Sequence, residues 1–179
     1  MRKLIILSIL SIALASCSNV GKFKEAIETL STDWEGTTAK VTAVVDQINA
    51  TQAQAKSALE SMNPSEEVAA TLNDDQKAKL AIIQQTVQSQ MGELGTLAQK
   101  AFEFVSQWQT EGEKLTALKD GLAAGKLPGD VQATIDSLKE LMGTAEQNVT
   151  NWTGMVDGAK TAIASATQSY NDLIGGAVQ

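Results

Sequence analysis

Apolar side chains recur in steps of three and four along almost the whole chain, and that spacing restricts the fold more than any other feature of the sequence. One track runs Phe23, Ile27, Leu30, Trp34, Thr37, Val41, Val44, Ile48, Thr51, Ala55, Ala58, Met62. A second runs Leu80, Ile83, Val87, Gln90, Leu94, Leu97, Ala101, Phe104, Trp108, Glu111, Leu115, Leu118, Leu122. A third runs from Val131 and Ile135 through Leu138, Met142, Ala145, Val149, Trp152, Val156, Ala159, Ile163, Ala166, Tyr170 and Leu173 to Ala177. An apolar repeat every 3.5 residues is the seam of a coiled coil or helical bundle, whereas a strand would alternate every second residue. Further apolar positions beside the seam, among them Val45, Ile82, Met91, Val105, Leu141 and Ile174, widen each stripe, which suits a helix that touches two neighbours. The expected fold is therefore all-α: an elongated, coiled-coil-like, antiparallel three-helix bundle running up, down, up.

The breaks between tracks carry helix-stopping and helix-starting residues. Asn63-Pro64 can end the first helix, with the proline free to open a short turn of its own. Asn73, followed three residues later by Gln76, is a capping arrangement for the second helix. Between Lys119 and Asp130 the glycines and Pro128 mark the second connection. Helices are expected over about 22–62, 74–120 and 129–175, within one domain over 22–179. About forty residues at 1.5 Å each would make a rod of about 60 Å. If Lys22, Asp120 and Gly129 are taken as ends at one level, Trp34 and Trp108 share a layer with Leu141 and Met142. Thr51 and Gln90 then share another, level with Ala159. Glu111 has no such counterpart and is expected to swing to the bundle edge. Tyr170 is expected in the seam. Glycines at 92, 95, 112, 143, 154 and 158 fall inside expected helices, at about 1 kcal/mol each relative to alanine. They would either admit close helix packing or make the bundle easier to open.

Ahead of the first track lies a segment of a different kind. Arg2 and Lys3 precede an apolar run from Leu4 to Leu14, interrupted only by serines, and small residues then lead to Cys17, the single cysteine. The run is short for a membrane span and has the layout of a secretory signal. Leu14-Ala15-Ser16-Cys17 resembles the lipobox of bacterial lipoproteins. That resemblance implies removal of residues 1–16, acylation of Cys17 (palmitate among the acyl groups), and a short lipidated tether at 17–21. Ser18 after the cysteine resembles outer-membrane sorting, so the implied location is the bacterial cell envelope, with the outer membrane favoured. Acyl burial at about 0.8 kcal/mol per methylene makes more than one chain a stable anchor. Two tripeptides, Trp34-Glu35-Gly36 and Trp152-Thr153-Gly154, match that of the small WxG secreted-effector family. In that family the motif sits in a hairpin turn, and here both copies lie inside heptad tracks, so they read as core tryptophans.

Composition limits the chemistry. Loss of Arg2 and Lys3 takes the formal charge from −7 to −9 and leaves no arginine, and the chain has no histidine. An acidic, arginine-free chain is a poor partner for nucleic acid, where phosphate neutralisation dominates, and is equally poorly equipped to lay a basic patch on anionic lipid heads. It also lacks the usual general base and the usual transition-metal ligand of neutral pH. No phosphate-binding loop, nucleophile elbow or calcium loop is present. The expectation is a non-enzymatic, lipid-anchored module without cofactor, metal or catalytic residues, whose one assigned site is Cys17. Its expected partners are the membrane and a protein bound through helical faces. The alternative is a membrane-active or lipid-carrying amphipathic bundle, with 163–178 as the stretch best suited to insert.

Overall fold

In the computed structural model the backbone is described from residue 2 to residue 177 and the side chains from residue 20 to residue 176. The described chain is all-helical: α1 (Arg2–Ser61), α2 (Glu66–Thr71), α3 (Asp74–Ala123) and α4 (Val131–Ala177), packed against one another. Among the described residues there is no strand. Since α1 begins at Arg2, its backbone includes residues 2–16 of the expected signal segment and all of the expected tether (17–21), which is helical. The side chains before Val20, Cys17 among them, lie outside the described residues.

The helix ends follow local hydrogen-bond chemistry. Asn73 and Gln76 form a reciprocal capping box at the start of α3, Gln76 N–H donating to Asn73 Oδ1 and Asn73 N–H to Gln76 Oε1, both at 2.9 Å. Ser65 caps α2, accepting from the Val68 amide. α3 runs three residues past the expected stop at 120. Gly125, in the left-handed region (φ 70°), closes the helix with two bonds, Lys126 N–H to Gly121 O at 2.8 Å and Gly125 N–H to Leu122 O at 3.2 Å. This pair of bonds satisfies the last carbonyls. Gly121 therefore does not end the helix. Its missing side chain leaves room for the returning chain: a Cβ there would stand 2.8 Å from Lys126 O and 2.9 Å from Pro128 Cδ. α4 starts at Val131 because Asp130 is its N-cap, accepting from Ala133 N–H at 3.1 Å.

The helices gather into two compact units. The first contains Met1–Val41 and Phe104–Gln147. Its core is Ile27, Leu30, Trp34, Thr37 and Val41 from α1, Phe104, Trp108, Leu115 and Leu118 from α3, and Val131, Ile135, Leu138 and Ala145 from α4. Glu111 lies at the edge of this core, as expected, with both carboxylate oxygens 2.8 Å from Lys114 Nζ.

The second unit contains Thr42–Glu103 and Asn148–Gln179. Its core is Val44, Ile48, Thr51 and Ala55 from α1, Val87, Leu94, Leu97 and Ala101 from α3, and Trp152, Val156, Ala159, Ile163 and Ala166 from α4. Met62 and Leu72, on either side of α2, are buried as well. Gln84 Nε2 donates to the Met62 carbonyl at 3.0 Å, which ties the connection back onto α3. Leu72 belongs to no heptad track; the short turn at Pro64 carries it back to the core.

Candidate functional site

Trp34 and Trp108 meet face to face in the first unit, ring centroids 3.7 Å apart and planes 14° from parallel. Phe104 leans on Trp108 at 6.0 Å. Thr38 joins the pair through its hydroxyl, which donates to the Trp34 carbonyl at 2.7 Å and accepts from Trp108 Nε1–H at 2.9 Å. Gly112 lies under the Trp34 ring, where a Cβ would stand 3.6 Å away. The indoles are 8% and 4% exposed and the indole N–H has its partner, so this cluster is core, not a ligand platform. The shared layer of the two tryptophans was legible in the heptads. Thr38 lies off the stripe and was not.

The second expected layer is seen in part, with Gln90 and Ala159 lining one groove. Thr51 is fully buried and donates to the Gln47 carbonyl of its own helix at 2.7 Å. The neighbouring Gln52 reaches the position of Gly95, 3.7 Å from where a Cβ would sit. Thr51 satisfies its hydroxyl locally and needs no polar partner opposite. Gln90 lines this groove, between α3 and α4 in the second unit, with Leu94, Leu97, Met155 and Ala159. Further along the same two helices an open, shallow concavity of about 570 Å³ is lined by Ile82, Ile83, Leu173 and Lys79 among others. Ile82 is 63% exposed and Met155 50% exposed. Phe102 is 71% exposed. Singly exposed apolar side chains are ordinary on a protein surface, but Ile82 shares its concavity with Ile83 and Leu173, a wider apolar surface that another can cover. Ile82 was visible as a flanking position; Met155 and Phe102 carried no sequence signal beyond being apolar.

The inner helix faces do not explain most of the glycines. Gly95 and Gly112 touch a neighbouring side chain, but a Cβ at Gly92, Gly143, Gly154 or Gly158 would meet nothing within 4 Å. Close helix packing is thus not their role.

At the other end of the first unit, the start of the described side chains meets the α3–α4 connection. Val20, Lys22 and Phe23 of α1 line a concavity of about 450 Å³ with Lys126, Leu127 and Val131. Lys22 Nζ stands 5.2 Å from the Phe23 ring centroid, a cation–π distance. An adjoining concavity of about 630 Å³ is lined by Val20, Lys24, Ile27, Ser31, Lys119 and Leu122. Cys17, the residue singled out by the sequence, precedes Val20 by three positions.

Among the described residues, no three His, Cys, Asp or Glu side chains come together to hold a metal ion. Among the same residues, no helix is long and apolar enough to cross a membrane. Comparison with protein-family models, with curated proteins and with solved structures gave no match.

Proposed function

We propose that this chain is a lipid-anchored, non-enzymatic cell-envelope lipoprotein, held to the outer membrane by acylated Cys17 and working as a helical binding or structural module. The observation that carries the reading is the segment Arg2-Lys3, apolar run, Leu14-Ala15-Ser16-Cys17, followed directly by helix-forming heptads. We further propose that the three long helices run up, down, up. What supports this in the first unit is the pairing of Trp34 with Gly112 and of Thr38 with Trp108, in which numbers rise on α1 as they fall on α3. Gln52 with Gly95 and Met62 with Gln84 give the same sense in the second unit. The Lys40–Glu146 pair (3.6 Å) joins α1 to α4. The binding half of the proposal draws on the solvent-exposed Ile82, Met155 and Phe102.

Mass spectrometry of the protein from its native envelope tests the anchor. The expected result is an N-terminus at Cys17 carrying acyl mass, with Cys17→Ser lacking that mass and released from the membrane fraction. A mature chain without lipid, or one beginning elsewhere, overturns the proposal. Such a result, with helix gain of the unlipidated protein on vesicles, would favour the membrane-active or lipid-carrying alternative, with 163–178 inserting.

A further inference from the structure

We infer that the end of the first unit formed by Val20, Lys22, Phe23, Lys126 and Leu127 rests on anionic lipid headgroups of the bilayer that holds the anchor. The inference rests on the proposed acylation of Cys17 and adds a second, protein-borne contact to it. Chain length is the first argument: Val20 lies three positions after Cys17, so even fully extended chain gives this surface only about 10 Å of freedom from the lipid. A surface so tethered meets the headgroup layer continually, whatever else it does.

Its chemistry suits that layer. Lys22 and Lys126 line one concavity and are both exposed. Among the described residues neither has an ion-pair partner, whereas Lys24 is paired with Glu28 (3.9 Å) and Lys119 with Glu35 (3.7 Å). Val20, Phe23 and Leu127 are half-buried beside them, apolar flanks that can sit at the boundary of headgroup and acyl chain while long ammonium arms reach the phosphates. The carboxylates nearby are accounted for. Glu28 is in its ion pair, and Asp130, which lines the concavity beside the two lysines, accepts the Ala133 amide at the start of α4. Glu25 and Asp120 are the remaining acids of this end, and both are exposed. The mature chain as a whole is strongly acidic, so an anionic membrane repels most of its surface. The cationic concavity beside the anchor is where it would make contact. A lysine at an anionic leaflet is worth about fivefold in occupancy at low salt.

The test uses the full acylated protein reconstituted into vesicles of phosphatidylethanolamine with phosphatidylglycerol, or of phosphatidylcholine alone. With Cys17 acylated, a cysteine introduced at Ala124 or at Ala39 is the sole free thiol and takes a fluorophore. Both positions are exposed; Ala39 lies about 28 Å along α1 from Val20. A headgroup-spin-labelled lipid is the quencher. Quenching at Ala124 is expected to exceed that at Ala39 at least threefold in the anionic vesicles. Lys22→Gln with Lys126→Gln should reduce it to the level in phosphatidylcholine, as should about 0.5 M salt. Quenching at Ala124 that ignores both lysines and lipid charge, on protein whose Cys17 carries its acyl mass, overturns the headgroup contact and leaves the anchor standing. Absence of that mass overturns both.

Discussion

Thr38 illustrates how much one hydroxyl outside the hydrophobic pattern can do. It spans the two tryptophans of the first unit by donating to one backbone and accepting from the other indole. Thr38→Val keeps the shape and leaves the Trp108 N–H without its acceptor, so urea denaturation should report a loss of about 1–3 kcal/mol. Thr38→Ser should keep most of the stability. The role was illegible in sequence because the indole it serves comes from seventy positions away. Other threonines show why a chain rich in this residue is still helical. Thr86, Thr96, Thr116 and Thr161 each bond the carbonyl four residues back, meeting the hydroxyl's need within the helix. The seam positions, by contrast, were legible one by one: Ile27, Leu30, Val87, Leu97, Ile135 and Val156 are all buried as the heptads require. Burial periodicity is a local property of the chain, and pairing across helices is not.

At the level of the element, the glycines separate into kinds that sequence alone does not distinguish. Gly121 lies against Lys126 O and Pro128 Cδ, so Gly121→Ala should lower the melting temperature by several degrees through backbone collision. Gly143, Gly154 and Gly158 face open space in α4, so alanine at each should add up to about 1 kcal/mol. A triple variant should melt several degrees higher by circular dichroism; a fall would mean that those positions are covered by something in solution. The α3 cap was readable in full, since Asn73 and Gln76 are three apart and face each other by helix geometry. Asn73→Ala should weaken the protein by about 1 kcal/mol. The end of α3 was misplaced because Gly121 and Gly125 look alike in sequence. Which one adopts the left-handed turn is decided by the bonds made by Gly125 and Lys126.

For the whole molecule, the ion pairs contribute little to stability. Lys40–Glu146 and Lys119–Glu35 have long N–O distances, 3.6 and 3.7 Å, and side chains more than half exposed. Such pairs are worth about 0–1 kcal/mol and are screened by salt. Thermal melting should therefore shift only slightly between dilute buffer and 0.5 M sodium chloride, whereas a large fall would point to an electrostatic framework not visible in these contacts. Fold class was legible from the sequence because it follows from three long repeats. Surface function was less so, because exposure of Ile82, Met155 and Phe102 depends on which neighbours arrive. The distribution of tryptophan has an optical consequence. Two indoles stacked at 3.7 Å should couple as excitons and give a paired band in the far-ultraviolet dichroism, while Trp152, buried in the other unit, contributes ordinary fluorescence. One denaturation run on Trp152→Phe and one on the unaltered chain would thus isolate the fluorescence of the second unit by difference, and curves coincident with the dichroism would mean that the two units melt as one.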